Sequence, residues 1–439
     1  MRTRMNVKAW RPAAVAISLL WLATLAGAGM VFLAQLLLAR RLGPTEYGLF
    51  ASSLATVSVI APLAGFGLSQ FRLKAYGHEG WQADRWLRPA LRFSAITGAL
   101  AIGAVIAWAL YGTAVDGPTR TTLLLLTPVI GGVFAIDIVG TKLRLEERHR
   151  ALAGWQLLMP AGRLAVAATL LAWPLANAQA AALGYGLVAL LIAALALPQL
   201  SAMQHGRMEL RGHGPRPDMG SDGLPADTPG AMQLWSQAWA YGVAAVLYPV
   251  FFQVSTVLLK YLHSNEQAGH YGVALAVMTA LYLFPATVYQ KFLLSRLHRW
   301  AVHDRVRFRR VYRVGNLAML AAGLGVGLVL ALVSPWLVPL AFGQAYADVA
   351  ILLGILSLCV PIRFLSTAVG SALLTENHMR YRVVAMLVAT LVAVVLNWLA
   401  IPRFGGIGAA WATVIAEAML LLSMWWGVRR IVDREETAG

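Results

Sequence analysis

The chain has 439 residues; 59% are hydrophobic and only 13% are charged, with a mean hydropathy of +0.66. Soluble domains carry about 25% charged residues, so this composition excludes a soluble protein and points to an integral membrane one. A net charge of +17 would suggest a nucleic-acid partner in a soluble chain; here the placement of the cations explains it, and no nucleic acid is expected.

Apolar blocks of ~20 or more residues have the length a membrane-spanning helix needs, whereas outer-membrane barrel strands give short alternating segments. In chain order the expected spans are 13–39, 46–70, 89–112, 119–141, 152–173, 178–200, 232–258, 268–290, 314–340, 347–374, 381–401 and 405–428. The apolar run of the first far exceeds the 7–15 residues of a signal h-region, so it reads as a span and not as a cleaved signal. With both ends inside, 29 Lys and Arg fall on the inner side and five (Arg40, Arg41, Arg120, Lys260 and Arg403) on the outer side. That bias obeys the positive-inside rule, and it requires an even number of spans. Both termini are therefore expected in the cytoplasm.

Residues 201–231 are the one long hydrophilic break, rich in Gly, Pro and Asp, and read as a flexible cytoplasmic linker. The expected organisation is a six-helix bundle over 1–200, the linker, and a second six-helix bundle over 232–439. The halves carry a repeat. Tyr47-Gly48 precedes Pro62 by fifteen residues, and Tyr271-Gly272 precedes Pro285 by fourteen. Six spans per half make the repeat parallel. The fold expected is all-α: a polytopic membrane protein of about 12 transmembrane helices in two parallel six-helix bundles around a central cavity.

Two cations remain, both near the middle of a span: Arg163 in LLMPAGRLAVAATLL and Arg363 in LGILSLCVPIRFLSTAVG. A charge at that depth costs roughly 2.5–3.5 kcal/mol on insertion scales, so it faces a partner or a water-filled cavity. Either the two are neutralised by Asp137 and Glu417, or they line a chamber for something anionic. Arg72, at the inner end of the second span, either joins that chamber or snorkels to the interface. Arg40 and Lys260 end corresponding spans of the two halves and either ring the outer mouth or anchor the helices. Gln35, Gln253, Asn316 and Asn397 are uncharged polar groups within spans, suited to interhelical hydrogen bonds or to cargo and ion contacts. Pro62, Pro128, Pro160, Pro285 and Pro361 interrupt spans and predict kinks. The basic, aromatic stretch 291–313 and the segment around Trp81 and Trp86 suit anionic headgroups at the inner leaflet.

Nucleotide, zinc-protease and nucleophile-elbow motifs are missing, and the outer loops are too short for a catalytic domain. Neither an enzyme nor a cofactor is expected. The single Cys359 allows no disulfide, and no metal site rests on it.

Near the C-terminal end, Phe342, Gly343 and Tyr346, then Leu396, Asn397, Pro402, Gly405, Gly408, Ala409, Ala410, Ala412 and Thr413, match F-G-x-x-Y followed by L-N-x-x-L-I-P-x-x-G-x-x-G-A-A-x-A-T. With ARRLGPTEYGLF and GFGLSQFR near the start, the chain resembles the Wzx-type oligosaccharide flippases of the multidrug/oligosaccharidyl-lipid/polysaccharide (MOP) exporter superfamily. The second half departs from that pattern at Phe252-Gln253, where relatives often place an acidic residue. The resemblance implies translocation of an undecaprenyl-pyrophosphate-linked oligosaccharide across the bacterial inner membrane for surface polysaccharide synthesis. Membrane lipids and the pathway's polymerase and chain-length proteins would be its partners. The residues agree with an anionic cargo, because guanidinium groups bind phosphate in a bidentate manner. A cation-coupled multidrug exporter of the same superfamily is the alternative, and a polytopic polysaccharide polymerase or ligase a more distant one.

Overall fold

The structure, a computed structural model, describes residues 7–211, 214, 229–286, 305–371 and 379–437. Much of the basic stretch 291–313 lies outside them. The described chain is helical throughout: α1 (Val7–Ile60), α2 (Leu68–Glu79), α3 (Leu87–Tyr111), α4 (Gly117–Leu126), α5 (Pro128–Leu145), α6 (His149–Ala172) and α7 (Ala178–Gln204). There follow α8 (Ala231–Leu262), α9 (Asn265–Ala286), α10 (Arg305–Phe342), α11 (Val349–Leu356), α12 (Cys359–Ser371) and α13 (Met379–Thr437). The described residues of each expected span are mostly helical. Eight helical stretches are long and apolar enough to cross a bilayer, and four of these, Ser18–Tyr111, Gly117–Leu145, Val349–Gly370 and Tyr381–Arg430, contain internal breaks. The protein is an all-α, multi-pass membrane protein.

The breaks follow backbone chemistry. Within α1 the chain turns at Gly43 (φ 74°), and within α13 at Gly405 (φ 53°), three residues past Pro402. Glycine adopts such positive φ without a Cβ clash. The expected span 46–70 is not one helix. It stops at Ile60, passes through a short 3₁₀ turn at Ala61–Leu63 with Pro62 at its start, and resumes as α2. Between them Gly65, Phe66 and Gly67 all have positive φ. Phe66 pays the side-chain penalty of that conformation and is held in it by stacking flat on Trp235, centroids 5.1 Å apart. Gly242 leaves the room: a Cβ there would lie 2.1 Å from the Phe66 ring.

Pro128 and Pro361 likewise sit at breaks, between α4 and α5 and near the start of α12. A proline supplies no N–H to the preceding turn. Pro160 lies inside α6, which runs on past it, and Pro285 lies one residue before the last described residue of α9.

The described chain divides into two compact units, one of residues 1–34, 60–175 and 179–245, the other of 35–59, 176–178 and 246–439. Helix α1 thus contributes to both. In the first unit the opening of the hydrophilic break is anchored: Met208 and Leu210 are buried in an aromatic cluster with Phe71, Tyr76, Trp81 and Trp86, and the Trp81 Nε1–H donates to the Gly214 carbonyl at 3.1 Å. Trp81 and Trp86 are therefore buried packing residues and not exposed interfacial anchors.

In the second unit the two repeated Tyr-Gly pairs meet. A Cβ on Gly48 would fall 1.7 Å from the Asn265 carbonyl oxygen, one on Gly269 2.1 Å from that of Pro44, and one on Gly272 3.3 Å from Ala51. The second part of α1 and helix α9 touch backbone to backbone, as small residues permit in membranes. Gly48→Leu or Gly269→Leu is therefore expected to cost about 1–3 kcal/mol or more through overpacking, read as a lowered unfolding midpoint of the purified protein. Gly29→Ala, whose Cβ meets nothing within 4 Å, should leave that midpoint unchanged or raise it.

Candidate functional site: two unlike intramembrane arginines

Arg163 projects from α6 in the first unit. Its guanidinium lies over the ring of Tyr185 on α7, 5.2 Å from the centroid. Tyr185 is 2% exposed, so it forms a fixed platform, and a cation on an aromatic face gains ~0.5–2 kcal/mol depending on desolvation. No carboxylate pairs with Arg163 among the described residues, and its Nε is buried without a hydrogen-bond partner. The side chain is only half-buried, so its outer nitrogens stay accessible. Gly162 and Gly184 bring α6 and α7 together against Val188 and Val166, which sets the stacking distance.

Arg363, on α12 in the second unit, is built differently. Its Nη1 donates to both carboxylate oxygens of Glu417 at 3.4 Å, and the Glu417 side chain is 1% exposed. The guanidinium is boxed by Phe252 and Tyr282, at 4.5 and 5.5 Å from the ring centroids. Arg382, near the start of α13, is close enough for its charge to act on Arg363. Glu417 pairs with Arg363 alone, so the nearby charge of Arg382 leaves this neighbourhood net positive. Around it, the Tyr271 and Thr413 hydroxyls are 2.7 Å apart, and Ser255 reaches Thr413 at 3.3 Å.

The remaining candidates divide by environment. Arg72 is 3% exposed: protein encloses it, and it lines a cavity of about 10 Å³ with Gly65, Ser69, Ser94 and Phe134, room for about one water. The carboxylates of Asp84 and Asp137 act electrostatically on Arg72, and Asp137 is no partner of Arg163. Lys260 donates to Asn265 Oδ1 at 3.1 Å and so braces the α8–α9 corner. Arg40 is exposed. Asn397 is fully buried and its Nδ2 returns to the Ala393 carbonyl at 2.7 Å within its own helix, so it is turned away from any cargo on that side. Its Oδ1, like that of Asn316, is buried without a partner. Gln35 and Gln253 are half-buried.

Sequence reasoning missed Tyr185, Phe252, Tyr282 and Arg382. The aromatics looked like ordinary span residues, and Arg382 was counted with the inner-side cations. For Arg163 the available signal was Tyr185 on the following span; Phe252 and Tyr282 lie on spans remote in sequence from Arg363, which offered none. Among the described residues no group of His, Cys, Asp and Glu could hold a metal ion.

No family model matches the chain, and no curated protein sequence matches it. Solved structures do. An inward-facing multidrug resistance MATE family transporter of the MOP superfamily superposes with a TM-score of 0.71 at 13% identity, over 94% of this chain and 96% of that one. The lipid II flippase MurJ in an inward closed conformation gives 0.67 at 13% identity, over 94% and 87%. A MOP superfamily transporter from Pyrococcus furiosus, described as having a binding pocket of reversed polarity, gives 0.59 at 14% identity, over 95% of each. These structures are of transporters and a flippase, not of enzymes. The chain has the fold of the MOP superfamily transporters.

Proposed function

We propose that the protein is a flippase that carries an undecaprenyl-pyrophosphate-linked oligosaccharide from the cytoplasmic to the periplasmic leaflet by alternating access, with both termini in the cytoplasm. The observation that carries this reading is Arg163: a mid-span guanidinium held on an aromatic platform with no carboxylate to neutralise it. A cation kept unpaired inside a membrane-spanning helix marks a pathway for an anion. A pyrophosphate suits it, because guanidinium donors are arranged for phosphate oxygens. The net positive cluster of Arg363, Arg382 and Glu417 supplies a second attraction in the other unit. The lipid tail needs no polar path; only the head must leave the membrane surface.

The solved lipid II flippase of the same fold supports a lipid-linked cargo. The fold equally accommodates drug exporters, but drugs are often cationic, and the two mid-span sites here are cationic themselves. Depletion of the protein in its host should make lipid-linked oligosaccharide accumulate on the cytoplasmic leaflet, where externally added reagents do not reach it. Unchanged distribution between the leaflets would count against the proposal.

A further inference from the structure

At one end of the second unit, three helix corners converge: α8–α9, the link from α10 to α11, and the turn of α13 at Gly405. They enclose a pocket of about 320 Å³ lined by His263, Gln267, Asp348, Ile351, Phe404 and Ile407, among others. That volume lies within the range of small-ligand sites, about 300–1,000 Å³. All three corners follow odd-numbered spans, so by the charge bias they face the outside.

Hydrogen bonds tie the corners around the pocket. The Gly406 N–H donates to Gln267 Oε1 at 3.0 Å, the His270 Nε2–H to the Ala345 carbonyl at 3.1 Å, and the Tyr346 hydroxyl to the Ala39 carbonyl at 3.0 Å. Its own polar groups are left over. Asp348 stands at the start of α11 without capping it. Neither its carboxylate, nor the His263 ring, nor the Gln267 amide nitrogen has a hydrogen-bond partner among the described residues. No Lys or Arg lines the pocket, so a phosphate is a poor fit. The Phe404 ring at the rim is 64% exposed.

We infer that this pocket binds one or two uncharged sugar units, and so forms an outer subsite for the glycan part of the cargo; this rests on the reading of the protein as a glycolipid flippase. A sugar ring has one apolar face of C–H groups, which Phe404 and Ile407 can cover, and an edge of hydroxyls. Asp348 accepts from adjacent hydroxyls, the Gln267 amide donates to a ring substituent, and His263 serves in either role. Corners already tied together lower the cost of arranging the pocket's walls on binding.

The test uses the full-length protein in lipid nanodiscs and saturation-transfer NMR. Glucose, galactose, mannose, rhamnose, N-acetylglucosamine and N-acetylgalactosamine are each offered singly. At least one should receive saturation on its ring protons, and Asp348→Asn should weaken that binding about tenfold. Phe404→Ala should also reduce it, and Arg163→Ala should not. His263 and Asp348 are exposed, so His263→Ala provides a second polar variant that should fold. No transfer from any of these sugars, or transfer unaltered in both Asp348→Asn and Phe404→Ala, overturns the inference. Binding needs no lipid-linked cargo, so sugar binding without flipping would sink only the flippase reading, and flipping without sugar binding only the subsite.

Discussion

Arg163→Ala is expected to reduce transport of a pyrophosphate-linked cargo about 10- to 150-fold, the equivalent of one charge-assisted hydrogen-bonding group worth 1.5–3 kcal/mol. The amount of folded protein in the membrane should stay close to wild type. Both halves of this expectation come from the same observation. Arg163 has no carboxylate partner among the described residues, so its removal orphans no buried charge and forfeits only a cation–π contact with Tyr185. Arg163→Lys keeps the charge but loses the planar fork, and should recover part of the activity. Immunoblots of membranes beside a transport assay give both numbers. Full activity in Arg163→Ala would make this arginine an idle neighbour of Tyr185. Loss of the protein from the membrane would make it structural.

Arg363 should behave in the opposite way. Removing one member of a buried pair leaves the other uncompensated and costs about 3–5 kcal/mol, a large part of the 5–15 kcal/mol that holds a typical protein folded. Glu417 is nearly inaccessible, so Arg363→Ala strands a carboxylate among Tyr282, Tyr271 and Cys359. The level of this variant should fall sharply. The double variant Arg363→Met, Glu417→Gln should restore the level, because neither group is then charged, while transport remains impaired by loss of the cationic cluster. If Arg363→Ala accumulates normally, the pair contributes nothing to folding. If the double variant transports as well as wild type, Arg363 has no part in handling cargo.

The sequence revealed the membrane layout because that layout rests on composition: apolar runs of spanning length and cations sorted by side. It also exposed the two mid-span arginines, since a charge amid Leu and Ala has no local explanation. The difference between them was hidden. Whether Asp137 or Glu417 reaches a given arginine depends on which helices adjoin, and here Glu417 meets Arg363 across α12 and α13 while Asp137 acts on Arg72 instead. Arg72 read either as a chamber cation or as one snorkelling to the interface, because it follows an apolar run. The left-handed stretch Gly65–Gly67 redirects the chain before it, and α2 then buries it.

The motif residues that carry the family resemblance have structural tasks. Tyr346 bonds the Ala39 carbonyl and packs edge-on to Tyr47 and His270. Gly405 makes the turn within α13, and Thr413 meets Tyr271. A sequence pattern of this kind identifies how helices join. It does not identify what passes between them, and that explains why the likeness to solved transporters reaches the fold and leaves the cargo to be argued from Arg163.

The central claim is that this protein moves a pyrophosphate-linked oligosaccharide across the bilayer. Purified protein reconstituted into liposomes with a fluorescent undecaprenyl-pyrophosphate-linked oligosaccharide in both leaflets tests it most directly, with dithionite added outside to quench the exposed label. The account predicts that quenching proceeds past the outer-leaflet half toward completion with wild-type protein, and that this second phase is about 10- to 150-fold slower with Arg163→Ala. Quenching that stops near one half with wild-type protein, in vesicles where the protein is folded, would contradict it.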